Sequence, residues 1–172
     1  MATAEMMRRI ERDAALAHGL DAHCDFDVER RDPIEPDLVI PNGMPLRPIA
    51  GSSGGGTYFL CGETGPVLYA DSEGRASLLG EDLREVLIVL VVLPFWKDLA
   101  VRRDLSWAAE WFGEDRPGFE AERDRLLLIL GLGEVSPQEA EQMLYAAAVR
   151  TEPDFLPRVP DENHMPYDPM FD

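Results

Sequence analysis

Lysine is almost missing from this chain: of its 16 basic residues only Lys97 is a lysine, and they face 33 acids. The resulting formal charge of -17 repels phosphate backbones and anionic lipid, so nucleic-acid and membrane-surface binding are the first classes to fall. Cysteine is equally scarce. Cys24 and Cys61 stand alone, with no C-x-x-C spacing, which excludes a zinc ribbon or a disulfide framework. The three histidines leave few choices for a general base, and no G-x-S-x-G elbow supplies a nucleophile. Long apolar runs are lacking too. The strongest, Val86 to Trp96, is about half of a bilayer span, and Pro94 interrupts it. The opening residues, Met1 to Asp13, hold no uninterrupted apolar core of the signal-peptide kind. These absences point to a cytoplasmic protein without metal or cofactor.

What is present is one domain's worth of chain: 172 residues, 45% hydrophobic and 28% charged, long enough to bury a substantial core. An imperfect apolar stripe (Met7, Ile10, Ala14, Leu16) predicts a helix over Ala4 to Gly19, with Gly19 as its stop. From Asp21 to Pro48 five prolines exclude long helices, Leu38 to Ile40 reads as a short strand, and Asn42-Gly43 is a turn signal. Thr57 to Cys61 and Pro66 to Ala70, joined by G-E-T-G, read as a hairpin, with Ala76 to Leu79 as a third strand.

At Glu81 the period changes. Acids and Arg84 open a segment that becomes apolar nearly all round, which predicts a central helix covering the sheet. The β-branched content of Val86 to Val92 leaves a buried strand as the alternative. Trp107 and Trp111, four apart, share a helix face and read as core. Phe119 to Leu130 and Pro137 to Arg150 read as a helical hairpin, the second member opened by Ser136, Pro137 and Glu139. Residues 1–152 form the expected domain. Residues 153–172, rich in proline and acid, read as an extended tail whose Phe155, Tyr167 and Phe171 lie against it.

The glycine cluster Gly51, Gly54, Gly55 and Gly56 lacks the lysine of a phosphate loop and precedes strands rather than a helix. It reads as a structural turn that admits close backbone approach. His18, His23 and Cys24 do not repeat a ligand spacing and read as accidents of a surface or loop. Asp71 and Glu73, after a strand, are more ordinary as turn caps or partner contacts than as an acid-base pair.

In order along the chain, Gly51 to Gly56, Tyr58 to Cys61, Val67-Leu68-Tyr69-Ala70-Asp71-Ser72-Glu73 and Leu83 to Leu90 resemble the SUKH superfamily, the domain of the yeast cell-wall-synthesis regulator and of bacterial immunity proteins. Ala70 and Ser72 stand where that family usually has Trp and His, and Thr57 where Asp is common. The resemblance implies an α+β fold, a twisted antiparallel sheet with helices packed around it, and a non-enzymatic role. Many bacterial members neutralise polymorphic toxins, often nucleases, by direct contact. On that basis the partner is a basic protein, met by Glu63, Asp71, Glu73, Glu81 and Asp82 near the sheet edge, with Asp161, Glu162 and Asp168 as a second group. A regulatory or scaffold domain of the same fold is the alternative. A small enzyme using the Asp71/Glu73 region is a third reading, and it requires a deep pocket.

Overall fold

The computed structural model describes every residue except 162, 164 and 172, so Glu162 and His164 lie outside the described residues. The fold is α+β: a five-stranded mixed open sheet with helices around it. Strands β1 (Leu46–Gly51), β2 (Thr57–Cys61), β3 (Val67–Ala70) and β4 (Arg75–Gly80) form an antiparallel meander. Strand β5 (Asp168–Pro169) then lies parallel to β4.

The strands are buried on both faces, and their side chains alternate as the pleat requires. Tyr58, Leu60, Val67, Tyr69 and Leu79 enter the core on the helical side. Phe59, Cys61, Leu68, Ala70, Ala76 and Leu78 form a second core on the opposite side. That second face is wrapped mainly by extended chain: Leu38 and Ile40 from one segment, Phe155, Val159 and Tyr167 from another. An antiparallel bridge between Val39 and Arg158 ties the two wrappings together.

The first expected helix is two. Helix α1 (Thr3–Arg12) ends at Asp13, whose carboxylate accepts the Leu16 amide and so starts α2 (Ala14–Cys24). Gly19 does not stop α2. It sits inside the helix, close to Arg125 and Leu126. Helix α3 (Leu83–Val92) resolves the helix-or-strand alternative in favour of helix. Asp82 caps it by accepting the Glu85 amide, and Leu83 and Val86 to Val92 are all buried. Each such aliphatic side chain contributes about 1.5–3 kcal/mol by leaving water.

Two further helices, α4 (Trp96–Val101) and α5 (Leu105–Asp115), lead to α6 (Phe119–Leu130) and α7 (Pro137–Ala148). Ser136 and Glu139 form a reciprocal capping box at the start of α7. Helices α6 and α7 both pack on α3, and α7 also packs along β4. Trp107 is half-buried and packs against the core, whereas Trp111 is 58% exposed, so the two do not share a core-facing role. On α5 only Ala108 is fully buried; Trp107 packs against the core from its margin and Trp111 faces outward.

The segment after α7 is knitted into the sheet. Asp168 and Met170 donate to the carbonyls of Gly74 and Ala76, and Met170 and Phe171 are buried. Further along β4, the Leu78 amide donates to the Thr151 hydroxyl at 2.9 Å. An edge that would otherwise offer open backbone groups is thereby occupied along its length. Among the described residues, no helix is long and apolar enough to cross a membrane.

Candidate functional site

The register divides the five candidate acids between opposite ends of the sheet. Thr57 pairs with Ala70 at one end, while Leu60 pairs with Val67, and Val67 with Gly80, at the other. Glu63, on the β2–β3 turn, therefore shares an end with Glu81 and Asp82, whereas Asp71 and Glu73 share the far end with the glycine turn. They do not form one constellation.

Their surroundings differ as well. Asp71 organises the β3–β4 turn: one carboxylate oxygen accepts the amides of Glu73 and Arg75 at 2.9 and 2.8 Å, and the other meets Arg75 Nε at 3.0 Å. Glu73 is exposed and 3.4 Å from the same guanidinium. Glu81 pairs with Arg150 at 2.5 Å, and Asp82 is the α3 cap. Glu63 is exposed and has no ion-pair partner among the described residues. The recess beside Asp71, lined by Glu35, Gly55, Ser72 and Tyr167 among others, measures only about 70 Å³. That is small beside the few hundred Å³ of ordinary ligand pockets.

The glycine turn is fixed by contacts on three sides. Ser52 Oγ accepts the Gly56 amide at 3.1 Å and lies 3.0 Å from the Tyr69 hydroxyl. A Cβ on Gly56 would collide with the Tyr69 ring, and one on Gly51 with the Arg30 carbonyl. Gly55 has φ +90°, a conformation side chains resist. Gly54 carries no such constraint, because nothing lies within 4 Å of where its Cβ would stand.

Next to this turn is a polar corner that the sequence did not single out. Asp25, left-handed at φ 57°, caps the end of α2 and turns its carboxylate to the Ser53 amide at 2.7 Å, the Ser53 hydroxyl at 3.2 Å and Lys97 Nζ at 3.3 Å. Lys97 also lies over the rings of Tyr69 and Trp96, 4.9 and 5.7 Å from their centroids. Tyr58 donates to the Asp25 carbonyl at 3.3 Å, and burial pushes its phenol well above the ordinary range. The available signal was compositional: the chain's single lysine directly follows a tryptophan.

His23 and Cys24 are not loop residues. Both are buried on α2, His23 with Nε2 2.8 Å from the Val91 carbonyl and Cys24 donating to the Leu20 carbonyl at 3.1 Å. Burial lowers the pKa of His23 and raises that of Cys24, while the Cys61 thiol is pushed up to about 12 by the same cause. Both thiols are therefore held protonated. Among the described residues no three His, Cys, Asp or Glu are grouped to hold a metal ion.

The cations are largely committed within the chain. Arg30, Arg31, Arg75, Lys97, Arg102, Arg123, Arg125 and Arg150 each pair with an acid. Arg9, Arg84 and Arg116 donate to the carbonyls of Ile129, Leu132 and Ala22. Such exposed pairs add little stability. Their larger effect is on the surface, where Asp32, Glu35 and Asp37 on the sheet wrapping and Glu110, Glu114 and Asp115 on α5 remain exposed without ion-pair partners among the described residues. These two acidic groups were not distinguished by sequence, since only the fold shows which acids the arginines leave over. Comparison with protein-family models, with curated proteins and with solved structures gives no match.

Proposed function

We propose that this chain is a non-enzymatic recognition domain for a basic protein, and that its particular role is to neutralise a toxin, of which a nuclease is the leading kind, by direct contact. The observation that carries the reading is the disposition of charge: a chain of formal charge -17 turns its few cations onto its own acids and carbonyls, leaving carboxylates outward. Such a surface accelerates encounter with a basic partner and makes the association sensitive to salt. The toxin-neutralising role rests on the resemblance of Ile49 to Leu90 to the SUKH superfamily; the α+β fold is of the class that resemblance implies. The small-enzyme reading draws no support from Asp71, whose two oxygens are engaged by the turn and by Arg75.

The test is retrieval of a partner from the native lysate on the tagged chain at low ionic strength, followed by elution at high salt. A basic protein that is toxic when expressed alone, and harmless when co-expressed with this chain, is the expected result. An acidic or salt-indifferent partner, or a basic one without toxicity, overturns the toxin reading. A non-toxic partner of either charge places the chain with regulatory or scaffold domains instead.

A further inference from the structure

The chain carries three tryptophans, and two of them are already covered by a cation. Trp96 meets Lys97, and Trp107 meets Arg102 with the guanidinium carbon 5.0 Å from the ring centroid. The preference extends to other rings: Arg103 lies 4.5 Å from the centroid of Tyr145, and Arg116 lies 5.8 Å from that of Phe112. Trp111 departs from the pattern. It is 58% exposed, and among the described residues it has neither a ring nor a cation against it.

Its neighbours on α5 are carboxylates. Glu114 and Asp115, three and four residues on, occupy the next turn of the same helix face, and both are exposed without an ion-pair partner among the described residues. Four residues back on that face is Trp107 with its Arg102. A guanidinium laid on the Trp111 indole would meet the electron-rich ring face below and two carboxylates beside it. Arg102 has the same kind of environment with one carboxylate, Trp107 lying against it and Asp104 2.8 Å away. A lysine ammonium satisfies the charge but not the planar stacking. Exposed tryptophans at partner surfaces are also the residues on which binding energy concentrates.

We propose that Trp111, Glu114 and Asp115 form a receptor for an arginine side chain projecting from the basic partner. The proposal rests on the reading of this chain as a binder of a basic protein, and adds which face is used and which side chain it takes.

The probe is an oligoarginine peptide, with oligolysine of equal length beside it, titrated into the full chain at low ionic strength. The three tryptophan indole N–H resonances, assigned with Trp107→Phe and Trp111→Phe, report where the peptide sits. The Trp111 resonance is expected to move saturably with oligoarginine and less with oligolysine. By calorimetry, Trp111→Ala should weaken oligoarginine binding about two- to fivefold, and Glu114→Gln with Asp115→Asn should do so too. Thermal melts of these surface variants should match the parent. Oligoarginine binding that leaves the Trp111 resonance unmoved, or is indifferent to Trp111→Ala, overturns the receptor and leaves acidic recognition standing. Failure of both peptides to bind overturns both.

Discussion

The Thr151 hydroxyl receives the amide of Leu78 across 73 residues of sequence, at 2.9 Å and out of reach of water. It does for β4 what a neighbouring strand would do, at the point where β5 has ended. Replacing Thr151 with Val keeps the shape and removes the acceptor, leaving a buried amide unsatisfied at a cost of about 1–3 kcal/mol. Thr151→Ser should recover most of that loss, measured by urea denaturation.

Gly56 and Gly54 are two residues apart and should respond oppositely. Gly56→Ala drives a methyl into the Tyr69 ring and should cost about 1–3 kcal/mol through overpacking. Gly54→Ala meets open space and should be neutral or slightly stabilising. Equal melting temperatures for the two variants would contradict the packing of the turn.

Acid should weaken the fold through His23. Its pKa lies below 6.5, first because the ring is buried; Arg116 and Arg123 push the same way, against the Val91 hydrogen bond and Glu122. As pH falls through 6.5 the unfolded chain takes up this proton before the folded chain does, so stability drops from there toward the lower folded value. Above that window His23 contributes no pH dependence. Urea midpoints measured from neutral pH downward should show the slope, and His23→Gln, which retains a donor for Val91, should flatten it.

Among the acids near the sheet ends, Asp82 and Glu63 separate structure from recognition. Asp82→Ala removes the α3 cap and should cost about 1 kcal/mol of stability. Glu63→Gln touches no ion pair of the described chain and should leave the melting temperature unchanged. Any effect it has should appear only in the salt dependence of binding to the basic partner proposed above.

Removing residues 167–172 strips β5, Met170 and Phe171 from the β4 edge. The melting temperature should fall, and sedimentation should become concentration-dependent as bared edges pair with one another. A monomer at every concentration would show that Thr151 and α7 protect the edge by themselves.

Much of the architecture was legible because local signals agreed with it. Thr57 to Cys61 alternates between two cores as a period of two requires, and Asp82 with the acids of the first turn announces α3. The Asp13 break was also written in the sequence, as a capping residue, but the apolar stripe runs through it. Strand β5 was not legible: two residues, one of them Pro169, carry no strand propensity, and only β4 makes them a strand. The site was less legible still. Which acids face outward unpaired depends on where the arginines fold, and Trp111 differs from Trp107 in being exposed and in having no arginine on it.

The two faces of the sheet place different demands on chain synthesis. The helical side is assembled largely from residues up to 148, whereas Phe59, Leu68 and Leu78 await Phe155, Val159 and Tyr167 to cover the other. Until translation has passed those positions, the second face of a nascent sheet lacks part of its cover, with only Leu38, Ile40, Leu46 and Ala147 in place. Closure of the second core therefore cannot be complete before residues 155–167 have been made.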